Sequence, residues 1–512
     1  MKVGIYNRWL ATLGGGEKHS LAIAEYLSQK YDVHMISHKD VPRDEAARRL
    51  NLNLSQVQFD VVPTLSSEEL KALTGEFDLF INASFMDFFP SAAAYSAALI
   101  FFPAPVNLES QNRLRYRFGW NVKRFFKVPT LVDGFLQFGP GSARYPSVEC
   151  CAPVHIKLPA SAEPYGIKLL LANLGRDPQT INIRIDGKKA VEKVMPGGGQ
   201  FRDFSFKIEA MRDRQHDLVI EAESLEARLA LANLTVEDPR FKLFQAIFGG
   251  PLSRYGIRFQ LLPLPRSSIL ENMNTYHSLW ANSEYTRRWI RKYWQTDSAV
   301  LYPPVDVENF TPGQKKNQVL NVGRFFAGDH NKKHDVLVNT FRELVDEGLK
   351  GWELHLVGGS TPGAVHEKYL AGVKAKAEGY PIFVHPDLPY PDLLQLYNES
   401  AIYWHASGYG EDEERDPIRF EHFGITTVEG MAAGCVPVVI GKGGQPEIVR
   451  HGQNGYLWYS LDELKSLTMK LIQEEPLRQE LSRCAVRDSQ NYSTQKFQGR
   501  VKTLLAEIGF ID

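Results

Sequence analysis

Two glutamates, Glu421 and Glu429, stand eight positions apart in the stretch RFEHFGITTVEGMAAGCVPVVIGKGGQPEIVRHGQNGYL, residues 419–457. Between them a Gly-Ile-Thr-Thr segment reads as the start of a helix. Backbone N–H groups in a helix's first turn lack intrahelical partners, and with the helix dipole they favour a phosphate there. Gly424, Ile425, Thr426 and Thr427 would carry those groups. Glu429 lies one turn inside, where a carboxylate suits hydroxyls, as on a ribose, better than a phosphate. Glu421, on the loop before the helix, can reach a different part of the same ligand. Gly434 is a natural helix stop, and CVPVVI reads as a buried parallel strand. The bland alternative is an ordinary α/β turn whose glutamates are solvated.

The elements that must position this site alternate from the start of the chain. KVGIY, a helix over residues 16–29, DVHMIS and FDLFINAS follow the α/β pattern of a doubly wound sheet. Between about residues 133 and 238 the pattern becomes period-2. Ile181, Ile183 and Ile185, then Phe204, Phe206 and Ile208, then Leu218 and Ile220 alternate with other residues, separated by turn signals such as IDGK and MPGGGQ. That is the text of an inserted all-β, sandwich-like module, 133–238. Glycan or partner binding and a spacer or oligomerisation role both fit it, since fold alone does not give function. Residues 1–132 and 239–298 are then expected to form one Rossmann-like domain and 299–490 a second. A C-terminal helix over 491–512 has Phe497, Val501, Leu504 and Leu505 at helical spacing, suited either to crossing back onto the first domain or to simple surface packing.

The glutamate motif resembles the E-x7-E signature of the GT4-like (group 1) retaining glycosyltransferases, whose GT-B fold sets two Rossmann-like doubly wound domains around a cleft. The resemblance extends to GGGEKHSLAIAEYL (14–27), WANSEYTRRWI, LYPPVDVENF, LNVGRFFAGDHNKKHDVLVNTF and ELHLVGG, in the family's order. It implies that Arg324 and Lys332 are the diphosphate-binding cations, placed where departure of a nucleoside diphosphate develops negative charge. Lys333 is adjacent, so a one-residue slip is open, and Gly323 lets a ligand approach. By the same resemblance Glu421 contacts the transferred sugar and Glu429 the nucleotide ribose. Thr426 and Thr427 give backbone and hydroxyl donors to the diphosphate, and Gly14 and Gly15 face the cleft from the first domain. The implied activity is retaining transfer of a hexose-type sugar from GDP-mannose or a UDP-sugar to a glycan or lipid-linked saccharide, by a front-face mechanism. No metal or other cofactor is implied, and the acidic run Glu411–Asp416 is expected to be a mobile, solvated loop. The chain departs from many relatives in one respect: Phe101 stands where they carry a His before Phe-Pro. His405, in YWHASGYG, is an alternative polar group, although a lone His is more often structural. A GT-B nucleotide-sugar epimerase and a non-catalytic glycan-binding or scaffold protein are the competing readings.

Composition narrows the partners. The formal net charge is −1, with 59 Lys and Arg against 60 Asp and Glu, so nothing global points to nucleic acid. The four cysteines, Cys150, Cys151, Cys435 and Cys484, lack metal-type spacing, and no secretion signal is visible. A reducing, cytoplasmic compartment is expected. No run approaches the roughly 20 apolar residues of a membrane-spanning helix, so any membrane contact is expected to be peripheral. RLRYRFGWNVKRFFK, residues 113–127, holds six cations and five aromatics and no acid. It fits an anionic membrane surface or an acceptor pyrophosphate, and equally an amphipathic helix with its aromatics in a core. Neutralising Arg115, Arg117, Lys123 and Arg124, with Arg113 as a fifth candidate, is expected to weaken sedimentation with phosphatidylserine vesicles in a salt-dependent way. Unchanged vesicle binding would exclude this segment as the contact.

Overall fold

KVGIY and LFIN are apolar nearly throughout, as parallel strands covered on both faces must be. A computed structural model describes residues 1–63, 65, 67–104, 125–138, 147–175, 177–211, 216–222, 227–248, 267–328, 331–361 and 363–511. The chain divides into two compact units, one of residues 1–63, 67–105 and 271–512 and the other of 64–66 and 106–270. In the first unit β1 (Lys2–Tyr6), β2 (Asp32–Ser37), β3 (Val57–Val61), β4 (Leu79–Asn82) and β5 (Tyr95–Ile100) begin a parallel sheet.

The second unit is antiparallel. Its strands are β6 (Thr130–Phe138), β7 (Ser147–Leu158), β8 (Tyr165–Asn173), β9 (Gln179–Ile185), β10 (Lys188–Met195), β11 (Arg202–Ile208), β12 (His216–Ala222) and β13 (Arg228–Val236). They form one eight-stranded sheet in the order β10-β9-β12-β7-β13-β8-β11, with β6 also on β7. Ile181 and Ile183 of β9 share one core with Leu218 and Ile220 of β12 and with Phe204 and Ile208 of β11. Strands from both ends of the path therefore contribute to the same core, which requires the sheet to fold over on itself. Asp186 and Gly187, with φ of 49° and 75°, make the two-residue turn between β9 and β10.

This unit is wider than the 133–238 read from periodicity. Val128, Phe241 and Phe244 lie in its core, the latter two on the helix Pro239–Phe248, which was expected to belong to the first Rossmann-like domain. A helical period marks a buried face but does not say which core the face covers. The parallel sheet resumes with β14 (Ser278–Ala281) beside β5 and closes with β15 (Ala299–Val300), giving the order β15-β14-β5-β4-β1-β2-β3. Residues 299–300 thus pair in the first sheet, not in the second domain expected to begin there. Two residues are too short to show a strand pattern.

The second sheet is also parallel: β16 (Lys316–Val322), β17 (Glu353–Gly358), β18 (Ile382–Pro386), β19 (Ser400–His405), β20 (Val436–Ile440) and β21 (Tyr456–Trp458), in the order β18-β17-β16-β19-β20-β21. The strand order reverses between β16 and β19, and in such sheets ligands bind beyond the carboxyl ends of the strands at that point. Gly323 and Arg324 follow β16 and His405 ends β19, so the topology alone brings them together.

The chain passes between the two sheets twice, and the passages touch: the Val305 N–H donates to the Tyr492 carbonyl at 2.9 Å. The terminal helix Thr494–Glu507 returns to the first sheet, where Phe497, Val501, Leu504 and Leu505 enter its core. Each such side chain contributes roughly 1.5–3 kcal/mol by leaving water. Asp306, on the first passage, accepts from Lys18 at 2.6 Å, Thr494 at 3.3 Å and Asn51 at 3.4 Å. No helix among the described residues is long and apolar enough to cross a membrane.

Glu447 makes a further tie between the sheets' layers. Its carboxylate accepts the N–H groups of Glu284 (2.7 Å) and Tyr285 (2.5 Å), the first turn of the helix Glu284–Trp294 that Ser283 also caps. Burial pushes the Glu447 carboxyl up to about 7, against the lowering effect of those two N–H groups. In the unfolded chain the group falls back to the ordinary carboxylate range. The folded state therefore holds the extra proton, and the stabilisation it brings is full below about pH 4.5 and is lost as pH rises through about 7. Glu447→Gln does not titrate. Urea midpoints of the two proteins between pH 5 and 8 should diverge, with only the wild type losing this contribution; parallel curves would show that the carboxyl does not titrate in that window.

Candidate active site

The helix Ile425–Ala432 starts at Gly424, whose φ of 124° is open to glycine, and a Cβ there would lie 2.4 Å from Gln445 Nε2. The loop before it is held from below by the following glycines: the Gly444 N–H donates to the Glu421 carbonyl at 2.7 Å. Gln445 is fully buried, accepting from the Thr427 hydroxyl at 2.9 Å and donating to the Phe423 carbonyl at 3.3 Å. Thr427 is thus committed: its hydroxyl serves Gln445 and its N–H donates to the Gly424 carbonyl at 3.0 Å. The expectation that it donates to a ligand is corrected, because one step along a helix turns a side chain by about 100°, here into the core. Thr426 is only half-buried, and its oxygen accepts from the Tyr403 hydroxyl at 2.7 Å, leaving its own proton to donate. Among the described residues Gly424, Ile425 and Thr426 keep backbone N–H groups without a protein acceptor.

Glu421 and Lys332 form the centre. Lys332 Nζ lies 2.5 Å from Glu421 Oε2, and both side chains are about one-fifth exposed, at 22% and 21%. His405 Nε2 approaches the same oxygen at 3.3 Å. Burial alone would raise the Glu421 pKa, but the Lys332 ammonium and the His405 contact outweigh it and hold the carboxyl well below the usual range. Gly323 is required for this placement, since a Cβ on it would come within 2.7 Å of Lys332 Cγ. Arg324 is exposed, over the Phe326 ring at 5.9 Å, with no carboxylate partner among the described residues.

The adjacent lysines have different partners. Lys333, the N-cap of the helix His334–Asp346, turns away with φ of 57° and pairs with Glu411 at 2.7 Å. Glu411 also receives Arg419, while Glu413 pairs with Arg288 at 2.8 Å and Glu414 with Lys292. The acidic run is therefore tied by ion pairs to both sheets' layers, while Asp412, Glu414 and Arg415 are solvated as expected.

Glu429, half-buried, receives the Tyr397 hydroxyl at 2.7 Å. Burial raises its pKa, opposed by the nearby Lys18 charge and the Tyr397 bond. Gly15, at the start of the first helix (Gly15–Ser28), faces Ile425 so closely that a Cβ would lie 3.1 Å from Ile425 Cδ1. Gly14 is beside it, but its N–H is taken by Glu17 at 2.8 Å. Phe101 packs against Gly16 and, edge to face, against His19. The motif reading missed Lys18, Asp306 and Tyr397; only the position of Lys18, one turn into the glycine-rich helix, hints at a cleft residue. Arg113, Arg115, Arg117, Lys123 and Arg124 lie outside the described residues.

Known proteins bear on this geometry. Residues 306–487 match the family model described as glycosyl transferases group 1. A protein of Dictyostelium discoideum named GDP-Man:Man(3)GlcNAc(2)-PP-Dol alpha-1,2-mannosyltransferase is 25% identical over 257 residues, 46% of this chain and 48% of that one. The protein of the same name from Caenorhabditis elegans is 25% identical over 39% of this chain and 44% of its own length. The chain thus spans about half the length of the curated relatives it matches. Among solved structures, Anabaena HepE in complex with UDP and glucose superposes with a TM-score of 0.52 at 11% identity, over 99% of both chains. Sucrose-phosphate synthase of Thermosynechococcus elongatus gives 0.51 at 11% identity over 99% of both. Two parallel sheets in this arrangement share the GT-B fold of those solved structures, and the second sheet carries the group 1 glycosyl transferase pattern over residues 306–487.

Proposed function

We propose that the protein transfers a hexose from a nucleoside-diphosphate sugar to a lipid-linked saccharide, with GDP-mannose as donor and retention of anomeric configuration. One observation carries the reading: Lys332 and Glu421 meet at the open first turn of the helix that bears Glu429. A diphosphate lying across that turn would meet the N–H groups of Gly424, Ile425 and Thr426, the Thr426 hydroxyl, and the cations Arg324 and Lys332. An ammonium carries three donors, so Lys332 can keep Glu421 and still bind a phosphate oxygen. Glu429 would accept from the ribose hydroxyls and Glu421 from those of the transferred ring. The names of the partial-length relatives favour a guanosine donor and a lipid-linked acceptor.

In the reaction the bond from the anomeric carbon to the leaving phosphate oxygen breaks and a bond to the acceptor oxygen forms on the same face. The acceptor hydroxyl proton passes to the departing phosphate. Double displacement would need a carboxylate nucleophile at the anomeric carbon. The front-face course asks no such nucleophile of Glu421, whose Oε2 already receives Lys332 and His405. Catalysis then rests on positioning and on cations that stabilise the charge developing on the diphosphate. Those side chains and the helix terminus replace a divalent ion in this scheme.

Isothermal titration should find GDP binding tighter than UDP, weakened about tenfold in Glu429→Ala, a loss on the order of 1.4 kcal/mol. Lys332→Ala is expected to lower the transfer rate by about 10² or more, the scale seen when one group stabilising transition-state charge is removed. Binding of neither nucleotide would sink the donor reading and move weight to a glycan-binding role. Transfer should persist in excess EDTA; its loss, restored by magnesium or manganese, would replace the metal-free scheme.

A further inference from the structure

We propose that His405 is a positioning residue that orients Glu421, so that Oε1 is the oxygen presented to the transferred sugar. The inference rests on the donor-site reading above and deepens it. Lys332 Nζ and His405 Nε2 both converge on Glu421 Oε2, at 2.5 and 3.3 Å, and Oε1 has no partner among the described residues. A carboxylate held by one donor can still swing about its last bond. Two donors arriving from different elements, the loop before His334 and the end of β19, fix its plane.

The imidazole is suited to this task. It is 2% exposed at the carboxyl end of β19, where the backbone of a parallel sheet holds its Cα rigidly. The groups facing it are the Lys332 ammonium and the Glu421 carboxylate. Burial lowers its pKa first, the Lys332 charge adds to that, and Glu421 opposes both. The ring is therefore neutral around pH 7. A neutral ring bears one N–H, and a carboxylate can only accept, so the proton resides on Nε2. Nδ1 is then an acceptor, and it is buried without a hydrogen-bond partner among the described residues. Among the described residues no other contact competes with Glu421 for the ring's proton.

The first arm of the test needs no ligand. In the full chain labelled with ¹⁵N-histidine, the signal absent from His405→Gln identifies His405, and its ring nitrogen shifts should report the neutral Nε2–H tautomer from pH 6 to 8. A charged ring or an Nδ1–H tautomer would overturn the proposal. The second arm compares titrations with GDP and GDP-mannose. His405→Phe should keep GDP affinity within about twofold while weakening GDP-mannose about tenfold, and His405→Gln, which restores a side-chain N–H, should recover part of the difference. Equal loss of both ligands would mark a structural residue, and no change in either would show that Glu421 needs no second donor. If the wild type binds neither ligand, the donor reading falls and takes the sugar half of this proposal with it, while the tautomer still decides the contact.

Discussion

The Lys332–Glu421 ion pair is the contact on which the rest of the site depends. Both charges are largely withdrawn from water, and a half-buried carboxylate without its cation would be costly or would take up a proton. Their positions are therefore over-determined. Gly323 leaves room for the lysine stem, His405 adds a second donor, and the Gly444 N–H holds the glutamate's own carbonyl. Phe420, next to Glu421, is buried among Phe102, Tyr285 and Trp289, so the loop bearing the carboxylate is also packed against residues that follow the first sheet's strands. His422, on its other side, stacks on Phe102 at 4.5 Å.

Those contacts make the geometry of the cleft a property of both sheets. Glu447 caps a helix of the first layer from the second, and Asp306 draws Lys18 toward the passage between them. The acidic run does the same with exposed pairs to Arg288 and Lys292. Exposed pairs of this kind are each worth little. The buried aromatic cluster and the capped helix carry the energy, and the ion pairs set the register in which those surfaces meet.

Much of this could be read from the chain. Parallel strands announce themselves as continuous apolar runs, and the glutamates, Arg324 and Lys332 stand in a recognisable order. The unread part has a common cause. Lys18 and Asp306 are 288 residues apart, and no local pattern relates them. Tyr397 reads as one more apolar-face residue of the helix Tyr390–Glu399 until its hydroxyl is seen on Glu429. Thr426 and Thr427 are the same residue type in adjacent positions, so composition cannot separate the one that opens to the cleft from the one that braces Gln445. The all-β unit and the first sheet are wider than their patterns for a related reason: a helix period or a two-residue strand shows burial without naming the core.

The two signature glutamates differ in a way that spacing alone hides. Glu421 is held ionised by a lysine and a neutral histidine, whereas burial pushes the Glu429 carboxyl upward, with only the more distant Lys18 and one tyrosine hydroxyl opposing. Environments that drive two carboxyls apart assign them different work. Lys332 and His405 favour the ionised form of Glu421, and in the proposed transfer a negative charge beside the developing sugar cation is useful. Glu429 gains most from new donors, because each hydroxyl given to a half-buried carboxylate offsets part of its desolvation. A vicinal diol supplies two such donors at once. The Glu429 environment thus favours a ligand that brings paired hydroxyls over one that brings a single alcohol, and the selectivity arises from what burial has taken away from the carboxylate.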